Sequence, residues 1–151
     1  IRGWMDELAR MGRYQVDEET LQKIRNVFLS GHCDNAQTSL QIERVYRSCG
    51  YVMDPHTAVG SYVLEQLALT EPCVLLSTAS PYKFTRDVLK ALQVEAAADD
   101  FVCMEQLSEL TKTSIPQGLY ALKSMKERFS DVIEVTEMEA YVCAKAKEVL
   151  K

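Results

Sequence analysis

Apolar residues recur every three or four positions through most of the chain, the spacing that places them on one face of an α-helix. Capping aspartates or a proline precede several of these stretches and predict where helices begin. The pattern predicts helices over residues 1–11, 17–30, 34–49, 54–70, 83–92 and 99–110, a further helix after Pro116, and a last helix that begins at a capping box of Thr136 and Glu139.

Four short stretches lack the helical spacing and predict β-strands. Residues 73–76, Cys-Val-Leu-Leu, form a continuous apolar run that is typical of a strand covered on both faces. Residues 14–16, 51–53 and 132–135 predict three shorter strands. Because strands alternate with helices, the sequence predicts an α/β fold: a small, mainly parallel sheet flanked by helices, with a helical C-terminus.

Length and composition are those of one globular domain. The chain has 151 residues, of which 47% are hydrophobic and 26% are charged, as is ordinary for a soluble protein with a substantial core. The net charge is −5, and the lysines and arginines are scattered, so no basic patch predicts binding to nucleic acid or anionic lipid. No run approaches about 18 apolar residues, so we expect no membrane span.

The cysteines and histidines predict neither disulfides nor a metal site. Five cysteines, an odd number without a CxxC pair, fit a reducing cytoplasm better than a disulfide framework. His32, Cys33 and Asp34 are adjacent and resemble a metal cluster. The chain has only one other histidine, however, and no pair with the spacing of zinc ligands. For a nucleophilic Cys33, the sequence identifies no partner base.

Two polar segments follow predicted strands and begin predicted helices. They are DPHTAVG at residues 54–60 and STASPYKF at residues 77–84. In open α/β sheets, ligands bind outside the carboxyl ends of the strands, where helix N-termini offer unpaired N–H groups. We therefore expect the two segments to form one crevice.

In the first segment, two residues are explained by helix geometry and two are open to a functional role. Asp54 and Pro55 have the residue types of an N-cap and of a first helical position. His56 either hydrogen-bonds a bound group or is a first-turn residue that bonds a nearby loop. Thr57 either completes the cap or faces a ligand.

In the second segment, three polar side chains have two possible roles each. Ser77 and Thr78 end the run that is expected to be buried, where an unpaired hydroxyl costs about 1–3 kcal/mol. Their partner is either the loop backbone or a heteroatom of a ligand. Lys83 lies at a predicted helix start, where the helix dipole disfavours a cation. Its side chain either extends into solvent or is held by an anion.

The sequence SGHCDNAQTSLQIERVYRSCGYVMDPHTAVG, followed by VLLSTASPYKF, resembles the C-terminal part of threonine synthase. The resemblance is strongest over residues 12–92 and rests on DPHTAVG and T-A-x-P-x-K-F in this order. It implies a pyridoxal-phosphate (PLP) enzyme of the tryptophan-synthase-like fold, fold type II, with this chain as part of the large domain.

Threonine synthases are carbon–oxygen lyases that convert O-phospho-L-homoserine and water into L-threonine and phosphate. The resemblance implies that the hydroxyl of Thr78, with Ser77 beside it, contacts the pyridine nitrogen of PLP. It also implies that His56 is catalytic and that Thr57 and Lys83 bind substrate or another anion. The cofactor supplies the electron sink, while the protein controls orientation and protonation.

The family's PLP-binding lysine and glycine-rich phosphate loop lie upstream of the matched motifs. None of the nine lysines here has the apolar setting, flanked by glycine or asparagine, that suits such a lysine. We therefore predict that residues 1–151 are a single C-terminal region, a fragment of a longer enzyme that alone is inactive and holds no PLP. Its expected partners are the substrate and the remainder of the enzyme, and the isolated fragment is expected to self-associate.

Two alternatives stay open at the level of sequence. One is another PLP lyase of the same fold that acts on a different amino acid. The other is a noncatalytic relative that binds a small ligand or a protein partner through the same crevice. A PLP enzyme requires a lysine and a glycine-rich loop upstream of the matched motifs. The presence or absence of these two features therefore distinguishes an enzyme from a noncatalytic relative.

Overall fold

Helices provide the regular structure of this computed structural model, which describes residues 1–127 and 130–149. In chain order the α-helices are α1 (Arg2–Met11), α2 (Glu18–Arg25), α3 (Asn35–Cys49), α4 (Pro55–Leu67), α5 (Thr85–Ala91), α6 (Asp100–Thr111), α7 (Gln117–Tyr120) and α8 (Met138–Val149). Short 3-10 helices cover Pro81–Lys83, Ala121–Ser124 and Val135–Glu137.

Capping side chains set the helix starts that the sequence predicted. Asp17, Asp34 and Asp99 each accept hydrogen bonds from backbone N–H groups of the following turn. At α3 the Gln37 side chain accepts in return from the Asp34 backbone N–H, which completes a capping box. Gly50 ends α3 with a φ of 73°, a left-handed conformation that glycine adopts without steric cost. These predicted boundaries are confirmed.

The hydrophobic core lies where α5 packs against both α3 and α6. Ile42 of α3, Leu89 of α5 and Leu107 of α6 are each at most 1% exposed. Full burial of one such side chain contributes about 1.5–3 kcal/mol. This core therefore fixes α3, the helix on which α4 rests.

The contact between α3 and α4 is polar. Gln41 is 2% exposed. Its amide nitrogen donates to Ser61 at 2.8 Å and to Glu65 at 3.0 Å, and its carbonyl oxygen accepts from Arg44 at 2.7 Å. Buried polar groups are costly unless they are hydrogen-bonded. The network therefore fixes the register of α4 on α3 and, with it, the place of the first turn of α4.

The chain divides into two compact units, Ile1–Pro116 and Gln117–Lys151. The first unit contains α1 to α6 and both polar segments singled out from the sequence. In the second unit, the Asp131 carboxylate accepts a hydrogen bond from Tyr141 at 2.7 Å and pairs with Lys145 at 3.4 Å. These contacts tie the stretch before α8 to that helix.

The predicted α/β fold is wrong, because the described residues contain no β-strand. Residues 73–76 lie outside any regular element, and Val74 and Leu76 are 88% and 74% exposed. An apolar run becomes a strand only where another strand supplies ladder hydrogen bonds. No described segment does so here, and the small parallel sheet flanked by helices is replaced by an arrangement of helices.

The three shorter predicted strands are wrong for the same reason. Residues 14–16 and 132–135 pair with no strand among the described residues. Residues 51–53 are irregular as well, although Val52 and Met53 are only 7% and 3% exposed. Their apolar character thus indicates burial and not strand pairing.

Several helix ends differ from the prediction by a few residues. α4 ends at Leu67, where Ala68 adopts a left-handed conformation with a φ of 47°. The helix expected after Pro116 is short and continues as a 3-10 turn. The predicted capping box of the last helix is also wrong, because the observed box joins Glu134 and Glu137, two residues earlier in the chain.

Candidate functional site

The first turn of α4 is fixed by its cap. Asp54 is the N-cap and Pro55 the first helical residue. Asp54 Oδ1 accepts from the backbone N–H of His56 at 2.9 Å and from that of Thr57 at 3.4 Å. These bonds satisfy two of the N–H groups that a helix leaves unpaired at its start. The cap and first-position roles predicted for Asp54 and Pro55 are confirmed.

The Asp54 carboxylate is buried, with 0% of its side chain exposed. Burial by itself raises the pKa of a carboxyl group, because it penalises the charged form. Here the Thr57 hydroxyl donates to Oδ2, and the His56 ring and both backbone N–H groups add further hydrogen bonds. Together they outweigh burial and lower the pKa of Asp54 below its ordinary value. The group is therefore an ionised hydrogen-bond acceptor at neutral pH.

The imidazole ring of His56 is held on two sides. Its Nδ1 lies 3.0 Å from Asp54 Oδ1, and its centroid lies 5.0 Å from that of Phe84 at an interplanar angle of 63°. Edge-to-face contacts of this kind are favourable between aromatic rings. The His56 side chain is nevertheless 67% exposed. The protein thus orients the ring while leaving part of it open to solvent.

Hydroxyl groups join the first turn of α4 to the second polar segment. Thr57 Oγ1 lies 3.4 Å from Ser77 Oγ, which also accepts a hydrogen bond from the Tyr51 hydroxyl at 3.3 Å. Thr57 is only 4% exposed, whereas Ser77 lies at the surface. We call this set of contacts the hydroxyl junction. It brings residues of the segments 54–60 and 77–84 into contact.

The residues after Ser77 form an anchored loop. Thr78 is exposed, and its hydroxyl makes no hydrogen bond within the part of the chain that the structure describes. The Ser80 side chain accepts from the Tyr82 N–H at 3.3 Å. Tyr82 is 3% exposed, and its hydroxyl donates to the Thr113 carbonyl at 2.8 Å. These bonds anchor the loop between Thr78 and Phe84.

Lys83 is exposed at the end of the 3-10 helix Pro81–Lys83. Among the described residues, no carboxylate pairs with its ammonium group. The α-helix that follows begins only at Thr85. The unfavourable position at an α-helix start, which the sequence predicts for Lys83, is therefore absent.

The structure brings His56, Thr57 and Ser77 into one connected set, with Thr78 next in the chain and Lys83 outside the set. Sequence reasoning missed the contacts of Tyr51 and Phe84, because their partners lie far away along the chain. For Asp54 a local signal existed. An N-cap carboxylate is within reach of the side chain two residues later, and in Asp-Pro-His that side chain is an imidazole.

The polar groups gathered here are an imidazole, a carboxylate and several hydroxyls, which suit hydrogen bonding and proton transfer. Within residues 1–127 and 130–149, no three histidine, cysteine, aspartate or glutamate side chains form a group that could hold a metal ion. Over the same residues, no helix has the length and apolar character needed to cross a bilayer. All five cysteines are free thiols.

A family model described as "Threonine synthase, C-terminal" matches residues 57–142. The matched range begins inside the DPHTAVG segment and includes the whole of STASPYKF. It therefore contains every residue of the hydroxyl junction except Tyr51, together with Thr78 and Lys83.

Individual proteins that the chain resembles are also threonine synthases or are named after them. The chain is 29% identical to a threonine synthase of Saccharomyces cerevisiae, over 100% of this chain and 29% of that protein. It is 28% identical to human threonine synthase-like 1, over 97% of this chain and 19% of that protein. A crystal structure of PLP-bound threonine synthase from Brucella melitensis superposes with a TM-score of 0.69 at 33% identity, and the match covers 93% of this chain and 27% of that one. The chain thus spans less than a third of the length of each of these proteins.

Proposed function

The chain belongs to the threonine synthase family, and from this premise we propose that residues 1–151 are the C-terminal region of a longer PLP-dependent enzyme. The proposed reaction is that of a carbon–oxygen lyase acting on a phosphorylated substrate, which converts O-phospho-L-homoserine and water into L-threonine and phosphate. The PLP-bound relative from Brucella melitensis supports PLP as the cofactor of the complete enzyme.

The observation that carries this proposal is the hydroxyl junction. Thr57 and Ser77 lie in the two segments that carry the family resemblance, and their hydroxyl oxygens are 3.4 Å apart. His56 of the first segment also contacts Phe84 of the second. An exposed imidazole with the exposed hydroxyl groups of Ser77 and Thr78 suits a site that must orient a cofactor ring and move protons.

The groups at this surface fit the heterocyclic ring of PLP better than its phosphate. The exposed Thr78 hydroxyl, which has no partner among the described residues, can donate to the pyridine nitrogen, with Ser77 beside it. The start of α4 is instead occupied by the Asp54 carboxylate, whose charge disfavours an anion there. PLP supplies an electron sink for carbanions at Cα and then Cβ of the substrate. A neutral hydroxyl at the ring nitrogen moderates that sink.

The remaining site residues receive roles from their exposure and their contacts. We assign catalytic proton transfer to His56, because its ring is oriented and open to solvent. Lys83 is the proposed contact of an anion such as the substrate phosphate, since its ammonium group is exposed and pairs with no described carboxylate. Thr57 is buried, and its hydroxyl donates to Asp54 and lies 3.4 Å from Ser77 Oγ. We therefore propose that Thr57 contributes to the binding of substrate or another anion indirectly, by positioning Ser77.

We propose that the lysine that binds PLP covalently, and the loop that binds its phosphate, belong to the remainder of the enzyme. A lysine of this kind reacts as the neutral amine, which burial favours. The eight lysines that the structure describes are all exposed. The isolated chain is accordingly proposed to be inactive and to hold no PLP.

The other proposed partner of this chain is the remainder of the same enzyme. The exposed side chains of Val74 and Leu76 are apolar surface that such a partner would cover. In isolation, the same surface is proposed to cause self-association. The five free thiols support a reducing compartment, and we propose the cytoplasm.

A second candidate is a noncatalytic relative that binds a small ligand or a protein partner through the same surface, or a PLP lyase for another amino acid. The similarity to the human protein named threonine synthase-like 1 supports this second candidate. It differs from the first in a measurable way, because only a threonine synthase forms threonine and phosphate from O-phospho-L-homoserine.

The test is an assay of the complete protein that carries this sequence, loaded with PLP. We expect threonine and phosphate in equal amounts from O-phospho-L-homoserine. The isolated chain, incubated with PLP and reduced with borohydride, is expected to show no stoichiometrically labelled lysine. A complete protein that binds PLP but releases neither product would support the second candidate, and a uniquely labelled lysine in the isolated chain would refute its proposed inability to hold PLP.

A further inference from the structure

Asp54 differs from the other aspartates that cap helices in this chain. Asp17, Asp34 and Asp99 are exposed, and each accepts from a backbone N–H group of the following turn; at Asp17 the Thr20 side chain adds a further hydrogen bond. Asp54 is buried and accepts from two side chains as well, those of His56 and Thr57. A cap requires only the backbone bonds. The burial and the additional bonds of Asp54 therefore go beyond capping.

The contact between Asp54 and His56 determines which ring nitrogen carries the proton. An ionised carboxylate accepts hydrogen bonds and donates none. Because the Asp54 carboxylate is ionised and its Oδ1 lies 3.0 Å from Nδ1, the hydrogen of this bond belongs to the ring nitrogen. A neutral imidazole carries one hydrogen, so its other nitrogen, Nε2, then has a free lone pair.

We propose that Asp54 is a positioning residue that holds the neutral His56 ring as its Nδ1–H tautomer, so that Nε2 is available as a hydrogen-bond and proton acceptor. Nε2 has no partner among the described residues, and the side chain is 67% exposed. The contact with Phe84 limits the rotation of the His56 ring away from its hydrogen bond to Asp54.

This tautomer selects the chemistry of the group that His56 can meet. A free lone pair accepts from O–H or N–H donors and repels an unprotonated phosphate oxygen. Under the proposed function, on which this step rests, the donor is the water that the reaction consumes. The O–H bond of that water would break, with the proton passing to Nε2 and the electron pair of the bond staying on the water oxygen. The Asp54 carboxylate then stabilises the resulting imidazolium.

The same carboxylate also links His56 to the surface proposed for PLP. Asp54 Oδ2 accepts from the Thr57 hydroxyl, and Thr57 Oγ1 lies 3.4 Å from Ser77 Oγ, next to Thr78. One buried group thus sets the orientation of the imidazole and the distance between α4 and the loop that carries Thr78. A change at Asp54 should disturb both.

The direct test is the protonation of the ring nitrogens by ¹H–¹⁵N NMR of the 151-residue chain with labelled histidines, at a pH where the rings are neutral. We expect a protonated Nδ1 for His56 and, for the exposed His32, the Nε2–H form that predominates in free histidine. In the variant Asp54→Ser, the serine side chain can still cap the helix, but it is too short to reach the His56 ring. It should return His56 to the Nε2–H form, whereas Asp17→Ser, a matched change at an exposed cap, should leave the His56 spectrum unchanged.

Protonated Nε2 on the neutral His56 ring of the unmodified chain would overturn the proposal, even if Asp54→Ser failed to fold. An unchanged tautomer in a folded Asp54→Ser variant would overturn it equally. In the complete enzyme, Asp54→Ser should lower kcat about 10- to 100-fold, as loss of an orienting partner does at other sites, with a smaller change in KM and a displaced pH–rate profile. Parallel losses in kcat for Asp54→Ser and Asp17→Ser would indicate a merely structural role.

The two proposals fail in different ways. If the complete protein makes no threonine, the proposed function fails while the NMR result still decides the tautomer. If threonine is made but the tautomer is Nε2–H, the function stands and the role of Asp54 is lost.

Discussion

The hydroxyl oxygens of Thr57 and Ser77 lie 3.4 Å apart, although the two residues are 20 positions apart in the sequence. Behind this contact, Thr57 donates to the buried carboxylate of Asp54. A surface hydroxyl, a buried hydroxyl and a buried carboxylate are thereby connected. The stability of the first turn of α4 and the geometry of the proposed site consequently depend on the same atoms.

Thr57→Val keeps the shape of the side chain and removes the hydroxyl donor to Asp54 Oδ2. A buried acceptor that loses its partner costs about 1–3 kcal/mol, so we expect the free energy of unfolding in urea to fall by that amount. Thr70→Val is the matched control, because the Thr70 hydroxyl is exposed and, among the described residues, bonds only the neighbouring Glu71 side chain at 3.2 Å. Its effect should stay within about 0.5 kcal/mol. Equal stabilities of the two variants would contradict the importance of the Thr57 bond.

Asp54 should also make the stability of the chain depend on pH. Its pKa is lowered in the folded chain, so its stabilising effect is complete above the unfolded value, about 3.9, and is lost as the pH falls through the lower folded value. We expect the free-energy difference between the unmodified chain and Asp54→Asn to be largest near pH 7 and to shrink below about pH 4. Urea denaturation at several pH values measures it. Asp6→Asn, at an exposed site in α1, serves as the control, and a difference for Asp54→Asn that is constant with pH would be the contrary result.

His56→Ala should affect activity more than stability. The side chain is 67% exposed, so its removal should change the melting temperature by only a few degrees. Loss of a general base typically lowers the rate about 10²- to 10⁴-fold, and we expect kcat of the complete enzyme to fall within that range. His32→Ala removes an exposed histidine outside the hydroxyl junction and should change neither quantity. A large drop in melting temperature with normal turnover would make His56 a structural residue.

Helix starts were predictable because they depend on residues within one turn of each other. The carboxylates of Asp17, Asp34, Asp54 and Asp99 each reach a backbone N–H two or three positions later. Strands depend on partners that local sequence does not contain, and residues 73–76 have none among the described residues. A continuous apolar run indicates a preference for burial, which does not by itself specify a strand in a sheet.

The site was predictable only in part, for a related reason. The motifs identified His56, Thr57, Ser77 and Thr78, and the first three form a connected set in the structure. The importance of the Asp54 carboxylate follows from its burial, which the sequence does not reveal. Cap aspartates are usually exposed, as Asp17 is, and from the sequence alone the cap role accounts for Asp54.

Thr78 is the residue on which the proposed cofactor contact depends. In the complete enzyme, Thr78→Val should shift the visible absorbance of bound PLP and lower kcat at least about tenfold, since a lost hydrogen bond of about 1.4 kcal/mol has that effect. Thr78→Ser keeps the donor and should restore most of the spectrum and rate. The exposed hydroxyl makes no bond within the described residues, so the melting temperature of the apo form should be nearly unchanged. Identical spectra for the valine variant and the unmodified enzyme would remove Thr78 from the site.

The exposed apolar side chains of Val74 and Leu76 predict the behaviour of the isolated chain. They are 88% and 74% exposed in the segment that the sequence identified as a buried strand. Each such side chain that becomes buried between copies contributes about 1.5–3 kcal/mol. The double variant Val74→Ser, Leu76→Ser should therefore weaken self-association at least about tenfold, measured by sedimentation over a range of concentrations. Val132→Ser, at a 95% exposed valine of the second unit, is the matched control. If the control weakens association as much as the double variant does, the segment at residues 73–76 is not the contact surface, because a general loss of apolar character then accounts for the effect.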